Sequence, residues 1–164
     1  MDTAIEALLP GDWEAVRGIY AEGLATGLAT FETKAPEWAE WDAAHLPTCR
    51  LAARQDGQLV GWAALSPVSR RAAYAGVAEV SIYVASAARG LGVGKALLNA
   101  LVTASEQAGI WTLQSAIFAE NLPSIVLHQN CGFREVGRRE RIAARDGAWH
   151  DTVIMERRSR LVGI

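Results

Sequence analysis

The stretch "ARGLGVGKALLNAL", residues 88–101, places three glycines within five positions and then continues as an apolar run of helix-forming residues. Glycine lacks a Cβ atom and lets the backbone come close to a ligand, while the first amides of a helix are unpaired donors at its positive end. Arg89 and Lys95 add positive charge, and the usual N-cap residues Ser, Thr, Asp and Asn are missing between them. The stretch therefore predicts a phosphate-binding loop before a helix; a tight turn without a ligand is the alternative.

Two common nucleotide-binding motifs do not match this stretch. A Walker A loop requires G-x-x-x-x-G-K-[ST], whereas Ala96 follows Lys95 here and Arg89 stands at the position of the first glycine. A dinucleotide-binding G-x-G-x-x-G motif requires a third glycine where this chain has Lys95 or Leu97, depending on the glycine from which the motif is counted. The pattern that remains is R-G-L-G-V-G, between a strand and a helix.

The composition favours one globular domain over residues 1–164. The chain has 51% hydrophobic and 21% charged residues and a formal net charge of -2, which argue against disorder and against nucleic-acid partners. No apolar run approaches the roughly 18 residues of a membrane span, and the N-terminus carries acids where a signal peptide would have basic residues. Cys49 and Cys131 lack the CxxC spacing of a zinc site or redox pair. We therefore expect a cytoplasmic protein that binds no metal, no nucleic acid and no membrane.

Hydrophobic periodicity and turn residues divide the chain into alternating strands and helices. Asp12 is the predicted N-cap of the first helix. Asp56-Gly57 and Asp146-Gly147 are predicted hairpin turns, because this pair readily adopts positive φ. The predicted order is a strand (residues 2–9), two helices (10–24 and 35–46), a hairpin (49–65), a strand (77–85), a helix (93–109), a strand (110–118), a short helix (120–133) and two closing strands (134–157).

The strand before the glycine stretch, "VAEVSIYVA" at residues 77–85, alternates apolar and polar side chains. Successive side chains of a strand point to opposite faces of the sheet. One face is predicted to carry Val80, Ile82 and Val84, and the other Glu79, Ser81 and Tyr83. The strand therefore presents a polar face next to the predicted phosphate loop.

The R-G-x-G-x-G pattern after a strand resembles the pyrophosphate loop of the GNAT acetyltransferases, which hold the diphosphate of acetyl coenzyme A. The segments "AEVSIYVASAARGLGVGKALL", "AENLPSIVLHQNCGFREVG" and "GAWHD" most resemble the phosphinothricin and methionine sulfoximine N-acetyltransferases within that family. The resemblance covers nearly the whole chain. It implies an α+β GNAT fold, with a mixed, mostly antiparallel central sheet that is splayed between two strands and has helices on both faces.

The resemblance also implies how acetyl-CoA, the expected co-substrate, is bound. The pantetheine arm is expected beside the strand backbone, the diphosphate at the glycine loop, and an asparagine side chain near the pantetheine amides. The residues expected to bind it are Ile82, Tyr83, Val84, Arg89, Gly90, Leu91, Gly92, Val93, Gly94, Lys95, Asn121 and Ser124. Two alternatives remain from the sequence: ordinary pairing of a central strand, and a simple N-cap role for Asn121 before its helix.

Two residues are candidates for the chemistry of acetyl transfer. Glu79 matches a glutamate of the phosphinothricin-type enzymes and is the expected base, acting directly or through a water; a solvent-facing acid is the alternative. His128 stands where many GNAT enzymes have a tyrosine that protonates the leaving thiolate, and it could donate a proton or only form a hydrogen bond. Cys131 has no base beside it in the sequence, so we expect direct attack by the amine and no acetyl-enzyme.

The acceptor is expected to be a small-molecule amine, such as an amino acid or an analogue with a second acidic group. The loop "SPVSRRAAY" contains arginines, which suit the forked recognition of carboxylate or phosphinate, although solvated loop charges are the alternative. The family segment that overhangs the acceptor pocket matches "TFET", residues 30–33, whose phenylalanine could equally belong to the core. The residues expected to bind the acceptor are Phe31, Glu32, Arg70, Arg71 and Tyr74.

The C-terminal segment "ARDGAWHD" departs from these relatives, because Asp146 replaces an aromatic residue while Arg145 keeps a basic charge at a lysine position. That departure puts the particular substrate in doubt more than the reaction. The resemblance also implies a homodimer, so Trp149 is expected at a subunit or strand interface, with plain core packing as the alternative. The alternative functions are those of a GNAT enzyme acting on a protein or polyamine amine, and of a non-catalytic acyl-CoA-binding module.

Overall fold

A computed structural model describes residues 2–164 as a seven-stranded sheet flanked by helices. The strands are β1 (Ala4–Ala7), β2 (Leu51–Gln55), β3 (Gln58–Pro67), β4 (Val77–Val84), β5 (Thr112–Phe118), β6 (Arg134–Arg145) and β7 (Ala148–Arg158). The helices are α1 (Trp13–Ala25), α2 (Trp38–Ala44), α3 (Val93–Gln107) and α4 (Leu122–Asn130). The strand order is β1-β2-β3-β4-β5-β7-β6, and every neighbouring pair is antiparallel except β4 and β5. The predicted mixed, mostly antiparallel α+β sheet is confirmed.

Both predicted hairpin turns are present. The pair Asp56-Gly57 joins β2 to β3 with φ values of 49° and 79°, and Asp146-Gly147 joins β6 to β7 with the same two values. Two-residue hairpin loops with positive φ at both positions match the right-handed twist of the strands that they connect. The sequence therefore predicted correctly that β2 pairs with β3 and that β6 pairs with β7.

Helices cover both faces of the sheet. The α3 side chains Leu97, Leu98 and Leu101 are fully buried against one face, and each such leucine contributes about 1.5–3 kcal/mol by its burial. On the other face, Val16 of α1 and Trp41 of α2 pack with residues of β2 and β3. The alternating side chains of β4 follow this division, because Val80 belongs to the first core and Tyr83 packs against the second. In the part of the chain that the structure describes, no helix is long and apolar enough to cross a bilayer.

The sheet opens between β4 and β5. These strands pair only from Val77–Glu79 with Thr112–Gln114. Beyond that point β4 stays paired with β3 as far as Val84, whereas β5 stays paired with β7 as far as Phe118. The backbone edges of residues 80–84 and 115–118 therefore face a gap, which confirms the predicted splay.

Asp12 stands at the predicted N-cap position of α1, but its side chain accepts no hydrogen bond from the first amides of that helix. Asp12 ends a short 3-10 turn that precedes α1, and its carboxylate accepts a hydrogen bond of 2.9 Å from the amide of Leu9. The same carboxylate pairs with Arg54 of β2 at 2.6 Å. Because both oxygens are used in this way, the side chain of Asp12 caps the turn and the sheet edge rather than the amides of α1.

Candidate active site

The gap between β4 and β5 holds a cavity of about 330 Å³, which we call the splay cavity. Its walls combine residues of both strands with residues of α4 and of the segment between α1 and α2. The polar and charged residues on its walls are Thr30, Glu32, Ser66, Glu79, Ser81, Tyr83, Ser115, Asn121, Ser124, His128 and Thr152. A cavity with convergent polar groups beside unpaired strand edges is a candidate site for binding and chemistry.

Glu79 lies where the pairing between β4 and β5 ends. It stands opposite Ser66 of β3 and Gln114 of β5, and its half-buried side chain lines the splay cavity. Burial raises the pKa of Glu79 above its usual value, and the positive charge of Arg139 partly opposes that rise. A carboxylate in this environment is suited to accept a proton from an amine. Glu79 therefore lies on the wall of the cavity, with a raised pKa, and its role as a base stays a prediction.

His128 is buried in α4 and oriented by one hydrogen bond. Its Nδ1 lies 2.7 Å from the carbonyl oxygen of Ser124, so Nδ1 carries the proton and donates it to that oxygen. Nε2 is then an acceptor; it is buried and has no hydrogen-bond partner, and the residue lines the splay cavity. Burial also lowers the pKa of His128. This geometry favours hydrogen-bond acceptance by a neutral imidazole over the proton donation that the sequence also allowed.

A second cavity of about 510 Å³, which we call the loop cavity, adjoins the splay cavity along the end of β4 and the beginning of α3. The two cavities share six lining residues, which are Leu28, Ala29, Ile82, Tyr83, Asn121 and Ser124. The loop cavity brings together most of the residues predicted to bind the cofactor, namely Ile82, Tyr83, Val84, Arg89, Gly90, Gly92, Gly94, Lys95, Asn121 and Ser124. Sequence patterns from three separate segments therefore converge on one surface.

The helix α3 begins without a side-chain cap, as predicted. Its N-cap is Gly92, with φ at 83°, and no side chain accepts from the first amides. Gly90 also has a positive φ of 76°, and a Cβ atom at either glycine would meet no other atom within 4 Å. Backbone conformation, rather than crowding by protein atoms, thus requires glycine here. The unpaired amides, with Arg89 and Lys95 beside them, fit a diphosphate.

Two of the predicted cofactor residues do not line the loop cavity. Leu91 is 62% exposed, and Val93 is buried in the core under α3. Their side chains therefore cannot form part of the cavity wall. Only their backbone groups are available to a ligand at the helix start.

Asn121 has the N-cap role that the sequence left open. Its Oδ1 accepts a hydrogen bond of 3.3 Å from the amide of Ser124, and its Nδ2 donates one of 3.2 Å to the carbonyl of Leu28. The side chain thus joins the start of α4 to the segment between α1 and α2. Asn121 also lines both cavities, so the residue that caps α4 lies where the two cavities meet.

The predicted acceptor segment lies over the splay cavity. Phe31 and Glu32 both line it, and the ring of Phe31 also packs on Phe118 with ring centroids 4.5 Å apart. Arg145 holds this segment from the end of β6: Nη2 donates to the carbonyl of Leu24 at 2.7 Å, and Nη1 donates to that of Thr30 at 3.4 Å. From the sequence, Arg145 was only a basic charge retained at a lysine position; in the structure it supports the wall of the site.

A third cavity of about 640 Å³, which we call the outer cavity, continues from the splay cavity toward α2. Thr30, Glu32, Ser66, Ser81 and Tyr83 line both. The further polar residues that line the outer cavity are Tyr20, Lys34, Glu37, Glu40 and His45. Loop cavity, splay cavity and outer cavity thus adjoin one another across the sheet, and Tyr83 lines all three.

The structure does not bring Arg70, Arg71 and Tyr74 to the site. All three are exposed, none lines the three cavities, and the guanidinium of Arg71 stacks over the ring of Tyr74 at 5.4 Å. The pairing of Ser66 with Glu79 puts their loop at the closed end of the gap, beyond the splay cavity. Within this chain, Arg70 and Arg71 are therefore solvated loop charges, which is the alternative that the sequence left open.

Neither cysteine contributes to the site. Cys131 is buried and Cys49 is partly buried, and burial raises the pKa of both thiols, which keeps them protonated. They also do not line the splay cavity. Among residues 2–164, no three His, Cys, Asp or Glu side chains lie close enough together to hold a metal ion.

Several polar residues of the splay cavity were missed by reasoning from the sequence. They are Ser66, Ser81, Ser115 and Thr152. Ser81 was noted on the polar face of its strand, but nothing in the sequence alone distinguishes the others from ordinary strand residues. Their common location follows from the pairing of four strands, which no local pattern encodes.

Comparison with known proteins identifies the family. The model of the Acetyltransferase (GNAT) family matches residues 13–133. A phosphinothricin N-acetyltransferase of Alcaligenes faecalis is 37% identical over 89% of this chain and 77% of its own length. An L-methionine sulfoximine/L-methionine sulfone acetyltransferase of Pseudomonas paraeruginosa is 31% identical over 61% of this chain and 58% of its own length.

A solved structure agrees with these relatives. The crystal structure of a GNAT superfamily phosphinothricin acetyltransferase from Sinorhizobium meliloti, in complex with AcCoA, superposes with a TM-score of 0.86 and 30% identity. The match covers 96% of this chain and 89% of that one. The family match and the opened sheet with its uncapped glycine loop lead to one conclusion: the chain belongs to the acetyltransferase (GNAT) family.

Proposed function

We propose that this protein transfers an acetyl group from acetyl-CoA directly to the amine of a small amino acid or analogue, of the phosphinothricin or methionine sulfoximine type. The observation that carries the proposal is the splay cavity, which adjoins the loop cavity on one side and the outer cavity on the other, with Glu79 on its wall. The names of the relatives support the class of acceptor.

The loop cavity is the proposed site of acetyl-CoA. The unpaired amides at the start of α3 bind the diphosphate, and Arg89 and Lys95 add charge on the same side. The unpaired edge of β4 at residues 82–84 offers backbone groups to the pantetheine amides, as a neighbouring strand would. This arrangement directs the thioester toward the splay cavity, where acetyl-CoA supplies an activated acyl group.

Glu79 is the proposed base. The acceptor amine must lose a proton when its nitrogen forms a bond to the thioester carbon, and the carbon–sulfur bond then breaks to release the thiolate of coenzyme A. Glu79 accepts the amine proton, directly or through a water, because burial has brought its pKa closer to neutrality. The thiolate takes its proton from solvent or from a bound water, since His128 has no proton on Nε2 to give.

The proposed function is tested by measuring thiol release from acetyl-CoA with a panel of amines. The panel contains amino acids, phosphinothricin, methionine sulfoximine, polyamines and peptides. We expect turnover with one or more of the amino acids or analogues, and much less with polyamines and peptides. Binding of CoA without thiol release for every amine would contradict an enzymatic function and favour a non-catalytic acyl-CoA-binding module.

The protein is also proposed to act as a cytoplasmic homodimer. Three apolar side chains are exposed on β6 and β7: Trp149 at 63%, Val136 at 50% and Ile142 at 49%. Trp149 is therefore not a core residue, which removes one of its two alternatives. Light scattering at micromolar concentration should give twice the mass of one chain, and substitution of Trp149 by serine should shift the mass toward the monomer. The single-domain organisation over residues 1–164 stays a prediction.

A further inference from the structure

Thr152 presents an unsatisfied hydroxyl group at the wall of the splay cavity. Thr152 is 3% exposed, and its buried Oγ1 atom has no hydrogen-bond partner. A buried polar group without a partner is destabilising, because it has lost its hydrogen bonds to water and gained none in the protein. Since Thr152 lines the cavity, a ligand or a water in the cavity is the partner that this hydroxyl lacks.

Arg139 lies directly opposite Thr152 in the pairing of β6 with β7. Residues that are directly opposite in an antiparallel pair project from the same face of the sheet, with Cβ atoms about 4.5–5.5 Å apart. Thr152 is in turn paired with Phe118 of β5, so Arg139 projects from the face that carries Phe118 and Phe31. The positive charge of Arg139 also reaches Glu79, whose pKa it lowers.

Arg139 differs from the other arginines of β6 because its charge is not neutralised. Among residues 2–164 its guanidinium forms no salt bridge, whereas each neighbouring arginine on the strand has an acidic partner within 4 Å. The paired arginines are Arg134 with Glu156, Arg138 with Asp151, Arg141 with Glu140, and Arg145 with Asp146. Arg139 is exposed and lines none of the three cavities, but it stands opposite Thr152, which lines the splay cavity, so its unpaired charge is available to an anionic group held at Thr152.

The backbone next to Arg139 is held in a fixed irregular shape. The pairing of β6 with β7 shifts register between Arg139 and Ala143, and Arg141 within that bulge has a φ of 42°. Asp151 fixes the bulge, because its carboxylate accepts a hydrogen bond of 2.7 Å from Nε of Arg138 and one of 2.8 Å from the amide of Arg141. Bulges of this kind redirect side chains near functional sites. Arg139 is thus presented by a defined piece of backbone.

The other charges around the site complete the pattern. Glu37 and Glu40 line the outer cavity but are engaged at the start of α2, where Glu37 pairs with Arg17 and Glu40 accepts from the amide of Glu37. The acids that remain for a ligand are Glu79 and Glu32. These two carboxylates, together with the positive charges of Lys34 in the outer cavity and of Arg139 opposite Thr152, complement a zwitterion rather than a polycation.

We propose that Arg139 and Thr152 bind the carboxylate of an α-amino acid acceptor and so turn its amine toward Glu79. Arginine and a hydroxyl provide charge-assisted and neutral hydrogen bonds to a carboxylate, and the planar fork of arginine fixes the orientation of that group. The inference rests on the proposed function, because it names the acceptor group that the same site recognises. It assigns to Arg139 the role that the sequence had given to Arg70 and Arg71.

The test compares an amino acid with its carboxamide, which keeps the amine and loses the negative charge. Binding of each compound to the CoA-loaded protein is measured by calorimetry, and KM and kcat are measured by thiol release. The variants are Arg139→Gln and Thr152→Val. The control is Arg134→Gln, which removes an arginine of the same strand that stands opposite Glu156 and pairs with it, away from Thr152.

For wild type, we expect the amino acid to bind at least about tenfold tighter than the carboxamide. Arg139→Gln should weaken binding and raise KM for the amino acid by about 10- to 100-fold, the loss expected for hydrogen bonds to a charged group. The carboxamide constants should change less than about threefold. Thr152→Val should have a smaller effect in the same direction, and Arg134→Gln should have none.

Equal affinities of wild type for the two compounds, or equal losses for both in Arg139→Gln, would overturn the inference. The binding measurement separates this failure from that of the proposed function. Preferential binding of the amino acid without thiol release would contradict the function and leave the carboxylate site standing. Thiol release without preferential binding of the amino acid would support the proposed function and contradict the carboxylate site.

Discussion

Nη2 of Arg145 donates a hydrogen bond of 2.7 Å to the carbonyl oxygen of Leu24, joining the last residue of β6 to the last turn of α1. The side chain of Arg145 is 9% exposed, so this bond is sheltered from water. A cation at the C-terminus of a helix also interacts favourably with the helix dipole. With the bond of 3.4 Å from Nη1 to the carbonyl oxygen of Thr30, it holds the segment that carries Phe31 and Glu32 over the splay cavity.

Replacement of Arg145 by Met should loosen this segment. Loss of hydrogen bonds from a buried charged group should lower the free energy of unfolding by about 1.5–3 kcal/mol, seen as a decrease of roughly 3–12 °C in Tm. KM for the acceptor should rise, while the affinity for CoA stays near that of wild type because Arg145 does not line the loop cavity. The control is Arg141→Met, which removes an exposed arginine of the same strand. Equal effects of both variants on acceptor KM would contradict the supporting role of Arg145.

Glu79→Gln should separate catalysis from binding. The variant cannot accept a proton, so kcat should fall by at least about 100-fold at neutral pH, the usual contribution of a general base, with CoA affinity unchanged. In wild type, kcat/KM should rise with pH through the raised pKa of Glu79, since the base must be ionised. That rise should be missing in Glu79→Gln. An unchanged pH profile would remove Glu79 from the mechanism.

The same pKa shift predicts an effect on stability. Burial raises the pKa of Glu79, so the folded state holds a proton that the unfolded state has already released. Stability is therefore lost as pH rises from the unfolded pKa of Glu79 through its folded pKa, and the loss persists at neutral pH. Thermal unfolding at pH 7 should show Glu79→Gln to be at least as stable as wild type. A clearly lower Tm for the variant would contradict this prediction.

Buried histidines should make the protein sensitive to mild acid. Burial lowers the pKa of both His45 and His128, so below their usual pKa the unfolded state binds protons that the folded state does not. Stability should therefore fall as pH decreases below about 6.5, the ordinary pKa of histidine. Tm measured between pH 7.5 and 5.5 should decrease less steeply for His128→Gln than for wild type. Parallel slopes for the two proteins would show that His128 is not protonated on unfolding.

Gly92→Ala should weaken the cofactor loop by backbone strain. At a φ of 83° an L-residue costs about 1–2 kcal/mol, although no protein atom stands in the way of a Cβ there. Both the stability and the affinity for CoA should decrease. Gly18→Ala is the matched control, because Gly18 lies inside α1 with open space for a Cβ and without a positive φ, so alanine should stabilise the helix. Normal CoA affinity of a folded Gly92→Ala would contradict the placement of the diphosphate.

Local sequence patterns predicted the parts of the fold that depend on neighbouring residues. The positive φ values at Asp56-Gly57, the start of α3 without a side-chain cap, and the cap at Asn121 each follow from residue types within a few positions. The splay between β4 and β5 was implied by the family resemblance and not by any pattern within either strand. Its consequence, a cavity beside Glu79, therefore depended on recognising the family.

The parts that could not be predicted depend on pairing between distant segments. Arg70 and Arg71 were expected at the acceptor because of their chemistry, but nothing near them in the sequence determines on which side of Glu79 their loop lies. Arg139 and Thr152 face each other because the pairing of β6 with β7 shifts register between Arg139 and Ala143. A shift of one residue would reverse the face of each side chain.

The most direct test of the proposed reaction is to identify its products by NMR after incubation with carbon-13-labelled acetyl-CoA and an amino acid or analogue that releases thiol. We predict that the labelled acetyl group becomes attached to the amine of the acceptor, in a one-to-one ratio with released CoA, and that Glu79→Gln forms this product far more slowly. Labelled acetyl-CoA that stays bound and unreacted with every acceptor, or label on the protein itself, would contradict direct transfer across the splay cavity.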